Sequence, residues 1–252
     1  MSRAIITESK LTAIADAIRA KTGGTADLTV DEMASTTNGL KLIYGYSSGS
    51  SELYQYAELP NGYRTKGSST QRFMCLDKNG NNAVFNPNNS TSFVVCARIR
   101  LKQKDSSTRM LFGGSTSGHP IPAQIYFTNT NGIGADCLNA SGTYFYGGGI
   151  NTDVFSTNTW YYVVFFFKDG KSTISVLADD FTELDTDVRT AASWKAETSY
   201  GCGFGGAESN NNWRATNIDF DVLNCFIKVD DTVIWGVPNK GVLDYIQGGN
   251  NQ

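Results

Sequence analysis

The hydrophobic pattern changes period once along the chain. From residue 7 to residue 40 the apolar positions recur at helical spacing. Beyond about Tyr44 they alternate, or form short runs between Gly, Asn, Ser and Thr. Leu11, Ile14, Ala15 and Ile18 fall at i, i+3, i+4 and i+7, which is one stripe of an amphipathic helix. Thr7 or Ser9 caps its start, Lys21 suits the dipole of its last turn, and Gly23 stops it. A second helix is expected over 28–39. Thr29 and Glu32 form a Thr-x-x-Glu capping box, Val30, Met33 and Ala34 give a narrow apolar edge, and Asn38-Gly39 ends it.

A helical piece of this size cannot bury a core of its own, because segments below about 40 residues need a crosslink, a metal or a partner. It must dock. Two readings are open. It is a hairpin packed on the β part of the same chain, or it is an anchoring and oligomerisation segment that presents Leu11, Ile14, Ile18, Val30 and Met33 to copies of itself or to another protein.

Strand candidates then recur between turn signals: 41–46, 53–58, 71–76, 82–86, 92–101, 109–112, 123–127, 133–137, 143–146, 160–167, 172–178, 200–204, 218–229 and 232–237. So many short strands without a helical period predict a mainly β chain, folded as a two-sheet sandwich or a barrel. The expected division is a helical segment 1–40, a strand and flexible linker 41–51, a β domain 52–238 and a C-terminal tail 239–252. The strongest local signal is Trp160–Phe167 followed by Asp169-Gly170, a strand and a type I′ hairpin turn. Both alternating faces of that strand are apolar, so both are covered. One faces the core. The other needs a loop, a ligand or a neighbouring subunit. A second hairpin is expected to turn at Asp230-Asp231.

Composition removes several function classes. Net charge is −3 and the basic residues are scattered, which disfavours nucleic-acid partners. No run approaches a membrane span, and no apolar leader follows the N-terminus, so membrane insertion and a signal peptide are not expected. Five cysteines without a Cys-x-x-Cys pair argue against a complete disulfide framework; Cys96 and Cys225 sit in apolar runs and read as core residues. With a single histidine, His119, neither a zinc site nor a nucleophilic triad is expected, and no cofactor is called for.

Three segments together resemble the laminin-G-like, concanavalin-A-like sandwich of bacteriophage structural proteins: ELPNGYRTKGSSTQRF (58–73), NTWYYVVFFFKDG (158–170) and NCFIKVDDTVIWGVP (224–238). LTAIADAIRAKTGG and LTVDEMA (11–24 and 28–34) resemble a short helical segment of phage tail and fibre proteins. The resemblance implies a two-sheet β-sandwich (jelly roll) behind a small N-terminal helical segment. It also implies a non-enzymatic virion protein of the tail, fibre or head fibre, made in the bacterial cytoplasm and displayed on the virion surface. Its partners would be other virion proteins, held through the N-terminal helices. By resemblance it would be a homotrimer.

Two kinds of chemistry compete for the β domain. Glu183, Asp185 and Asp187 alternate, and on a strand they would share one face, as the acid and nucleophile of laminarinase-type glycoside hydrolases do. The third member is Asp rather than Glu, and the run follows a strand where laminin-G-like domains place a solvated loop. An enzyme is therefore not expected, and a glycan-degrading depolymerase is the alternative. Glycan binding needs an aromatic platform beside amide or carboxylate side chains. Three segments have that make-up: Asn210, Asn211, Asn212, Trp213 and Arg214; Tyr144 and Tyr146 near Asn139; and the loop of His119 with Gln124. A purely architectural decoration protein is the third reading.

Overall fold

In the computed structural model the chain divides into two compact units, Met1–Leu42 and Ile43–Gln252. The structure describes residues 44–48, 62–64, 72–77, 79, 81–85, 90–104, 109–114, 123–128, 130, 132–138, 144–190, 202–205 and 218–248, all in the second unit. Leu11, Ile14, Ile18, Val30 and Met33, the strand expected at 53–58, and Asn210 to Arg214 lie outside the described residues.

In chain order the strands are β1 (Tyr44–Ser48), β2 (Gly62–Arg64), β3 (Arg72–Leu76), β4 (Phe93–Leu101), β5 (Arg109–Gly114), β6 (Ala123–Phe127), β7 (Ile133–Leu138) and β8 (Tyr144–Ile150). Then come β9 (Trp160–Lys168), β10 (Lys171–Leu177), β11 (Glu183–Thr190), β12 (Cys202–Phe204), β13 (Ile218–Asp221), β14 (Phe226–Val229) and β15 (Thr232–Gly236). A 3₁₀ turn, Val222–Asn224, separates β13 from β14, and one helix, α1 (Lys240–Ile246), follows β15.

The strands form two antiparallel sheets. The seven-stranded sheet runs β1-β3-β12-β5-β6-β7-β8. The eight-stranded sheet runs β11-β10-β9-β4-β13-β2, with β14 also paired to β4 and β15 to β14. β4 meets β14 along Phe93–Cys96 and β13 along Ile99–Leu101, so the 3₁₀ turn divides what looks in sequence like one long strand at 218–229. Asp169 and Gly170 both adopt positive φ (51° and 72°), the type I′ geometry expected of that hairpin.

The core lies between the sheets. Alternate residues of β4 (Phe93, Val95, Ala97, Ile99, Leu101) and β9 (Tyr161, Val163, Phe165, Phe167) meet Ile125, Phe127, Ile133, Phe112 and Phe204 of the other sheet. Aromatic rings pack edge to face through it, as between Phe93 and Phe165 and between Phe127 and Phe155. Cys75, Cys96, Cys202 and Cys225 are buried free thiols.

The outer apolar face of β9 is covered by the chain itself. The segment read as a C-terminal tail contains α1, whose Val242 is fully buried against Val94, Cys96, Tyr162, Val164, Leu177 and Phe226. Asn239 caps this helix, accepting from Gly241 N–H at 2.9 Å, and ties it back to the 3₁₀ turn by donating to Asn224 at 3.0 Å. Among the described residues no helix is long and apolar enough to cross a membrane.

Candidate functional site

β6, β7 and β8 are consecutive antiparallel neighbours at one side of the seven-stranded sheet. On β6, Ala123, Ile125 and Phe127 enter the core while Gln124 and Tyr126 alternate outward. On β7, Ile133 and Ala135 enter the core, which turns Asp136 to the same outer face. The register sets Gln124 opposite Asp136, and Asp136 opposite Tyr146 of β8, in one row across three strands.

The side chains of this row are joined. The Gln124 amide donates to Asp136 Oδ2 at 3.0 Å, and the Tyr126 hydroxyl donates to Asp136 Oδ1 at 3.2 Å. Tyr126 reaches that far because its ring lies over Gly134, its cross-strand partner. A Cβ on Gly134 would stand 2.8 Å from the ring. Burial pushes the Asp136 carboxyl above the usual carboxylate range, although both hydrogen bonds pull the other way.

Chain direction decides which candidate loops belong here. β5 ends at Gly114 and β6 begins at Ala123, so the loop with His119 leaves at the end of the sheet where Gln124 sits. β7 ends at Leu138 and β8 begins at Tyr144, so the loop with Asn139 leaves at that same end. β12 runs antiparallel to β5, with Phe204 opposite Phe112, and Gly205 N–H bonds to Leu111 O. The chain toward Trp213 therefore departs from the opposite end. The strand ends that flank two of the three expected glycan segments thus lie on the side of the row of Asp136, which the sequence reading passed over. The signal for it was the alternation Gln-Ile-Tyr and Gly-Ala-Asp on adjacent strands.

The three carboxylates of the hydrolase alternative do not share a face. Glu183–Thr190 is an edge strand, not a solvated loop, and its register slips at Leu184: Leu177 pairs with Glu183, but Val176 pairs with Asp185. The extra residue sends neighbours two apart to opposite faces. Glu183 lies on the α1 side, where it accepts from the Tyr245 hydroxyl. Asp185 accepts from Thr152 Oγ1 at 2.6 Å, and Asp187 accepts from Gly149 N–H at 2.8 Å and from the Arg189 guanidinium at 2.9 Å. Asp185 and Asp187 thus face β8, away from Glu183.

A second polar array lies on the outer face of the eight-stranded sheet, beyond the region under α1. Asp219 is fully buried and accepts from Arg64 and Arg100, the latter at 2.6 Å. Arg98 binds Asp179 through two nitrogens at 2.8 and 2.9 Å and also binds Asp221. Both Arg98 and Arg100 lie over the Trp160 ring, at 4.5 and 4.8 Å from its centroid. Three cations balance three carboxylates, so the array is neutral and its charges are spent on one another. Arg-Ile-Arg (98–100) opposite Asp-Phe-Asp (219–221) was its sequence signature.

A pocket of about 160 Å³ beside α1 is lined by Val94, Phe167, Lys168, Lys228, Leu243 and Ile246, among others. Its rim carboxylate, Asp230, is occupied by Thr91 and Ser92. Among the described residues no three His, Cys, Asp or Glu side chains gather as metal ligands.

No known family profile matches the chain, and no curated protein does. Solved structures do. The binding domain of botulinum neurotoxin serotype D superposes with a TM-score of 0.50 at 9% identity, over 82% of this chain and 47% of that one. A botulinum neurotoxin DC binding domain in complex with SialylT gives 0.47 at 13% identity, over 83% and 46%. Domains LG4-5 of the mouse laminin alpha1 chain give 0.47 at 10% identity, over 71% and 44%. The fold is a concanavalin-A-like, laminin-G-like two-sheet sandwich. The chain spans about half the length of these structures, and at such identities the likeness concerns the fold alone.

Proposed function

We propose that this chain is a non-enzymatic virion protein of a phage tail, fibre or head fibre, whose sandwich contacts a host-surface or mucosal glycan. The observation that carries the glycan contact is the joined row of Gln124 and Asp136. It lies beside the register position of Tyr146, at the sheet end from which the His119 and Asn139 loops emerge. Amide, carboxylate and phenol in reach of one another are the groups that read sugar hydroxyls. The virion assignment is supported by the resemblance of residues 11–34 to phage tail and fibre helices. On this reading those helices attach the protein to other virion proteins and assemble it as a homo-oligomer, in the order of a trimer. On the same reading the protein is displayed on the virion surface. The depolymerase reading is disfavoured by the bulge that parts Glu183 from Asp185 and Asp187.

An array of host-surface and mucosal glycans, probed with the wild type, Gln124→Ala, Tyr146→Ala and Trp213→Ala, tests the glycan contact. Retention on the array that falls in the first two variants is the expected result. If the first two bind as the wild type does and Trp213→Ala alone loses binding, the site lies at the other end of the sheet. If particles lacking residues 1–40 of this protein still carry it, the attachment role is wrong.

A further inference from the structure

Between positions 115 and 150, a stretch that holds β6, β7 and β8, His119 is the one histidine, and Asp136 is the one residue among Asp, Glu, Lys and Arg. Its hydrogen-bond donors among the described residues are a neutral amide and a neutral phenol. Among the described residues no arginine or lysine pairs with it, in contrast to Asp219 and Asp221, each of which holds an arginine. A charge on this half-buried carboxylate therefore carries a desolvation cost that no neighbouring cation offsets. An asparagine could accept the Tyr126 hydrogen without that cost, so holding Tyr126 does not account for the charge. A carboxylate offers about four acceptor positions, and two are used. The remaining ones are open to donors from outside the chain, whether solvent or the hydroxyls of a bound ligand.

We propose that Asp136 makes this a site for uncharged sugars: its carboxylate accepts hydroxyl hydrogens of a neutral hexose and turns away glycans that end in a carboxylate or sulfate. The inference rests on the glycan-contact reading and adds the class of sugar. Charge-assisted hydrogen bonds are the stronger ones, and hydroxyl donors supply them without bringing a charge of their own. An acidic sugar would need a cation beside Asp136, and among the described residues its partners are the Gln124 amide and the Tyr126 hydroxyl, neither of them charged. Like charges brought together in a partly desolvated site are a penalty rather than a contact.

The experiment uses the full chain and paired immobilised oligosaccharides: glucose-, galactose- and mannose-terminated chains, and the same chains capped with a carboxylated sugar. The wild type, Asp136→Asn and Gln124→Ala are compared, with melting temperature as the control for folding. The wild type is expected to bind one or more neutral chains and to bind the capped forms at least about tenfold more weakly. Asp136→Asn is expected to lose about 10- to 100-fold on the neutral chains, the range of a charge-assisted hydrogen bond, while melting at or above the wild-type temperature. Capped chains bound as tightly as neutral ones, or neutral binding within twofold in Asp136→Asn, would overturn the selection by charge and leave glycan contact standing. Wild-type protein that retains no chain of either kind overturns both.

Discussion

The Asp187 carboxylate of β11 accepts the Gly149 amide of β8 at 2.8 Å, tying the last strand of one sheet to the last strand of the other. Asp185 repeats the tie through Thr152. A sheet edge presents unpaired amides that invite another chain, and inward-turned charges with a bulge are a common way to blunt it. The acidic run of β11 does both. Asp187→Ala should cost about 1–2 kcal/mol, the net loss of a charge-assisted hydrogen bond at a partly exposed site. Urea unfolding measures it, and a midpoint equal to the wild type would remove this role.

Asp219 carries a larger stake. It is fully buried between Arg64 and Arg100. Asp219→Ala leaves two guanidinium groups facing each other without their anion and should destabilise by about 3–5 kcal/mol. A smaller loss in chemical denaturation would mean that Trp160 and solvent suffice to hold the arginines.

The α1 contact predicts a defect of surface as well as stability. Val242→Asp places a charge at a fully buried position. It should cost at least about 3 kcal/mol and raise binding of an apolar dye, because Val94, Val164 and Phe226 lose their cover. Dye fluorescence that stays flat would show the helix to be dispensable to that face.

Asp230 gives a signed pH dependence. Desolvation pushes its carboxyl up, but hydrogen bonds from the side chains and amides of Thr91 and Ser92 outweigh this and hold it below the usual range. A depressed folded value means stability present above the ordinary aspartate value and lost as pH falls through the folded one. Asp230→Asn should therefore melt below the wild type at neutral pH, with the gap closing toward strong acid. Thermal melts across pH check it; a gap independent of pH would assign the effect to shape rather than charge.

Gly134→Ala tests how the candidate site is positioned. The added Cβ would meet the Tyr126 ring at 2.8 Å and displace its hydroxyl from Asp136. Weaker glycan retention with little change in melting temperature is the expected outcome. Unaltered retention would show that Tyr126 does not need to sit over residue 134.

The elements legible in the sequence were those whose alternation or turn chemistry is strong. β6 appeared with its observed ends, β9 and β10 with their Asp-Gly turn, and β4 within one residue. β11 was missed because a charged edge strand and a solvated acidic loop look alike one residue at a time. Only pairing with β10 shows that its charges are turned inward. α1 was missed because seven residues carry two turns at most of periodic signal. The site was half legible. Gln124, Tyr144 and Tyr146 stood out as loop chemistry, but Asp136 joined them only through a register between strands that sequence spacing does not set.

The position of α1 has a consequence for synthesis. Val94, Cys96, Val164 and Phe166 are made well before Val242, and their outer face stays bare until the helix that covers it has left the ribosome. During that interval the nascent sandwich exposes a sticky sheet surface of the kind that chaperones hold and that aggregates recruit. Among the described elements, the two-turn helix that closes this face is the last to be made. A stalled or prematurely ended chain would betray itself by insolubility.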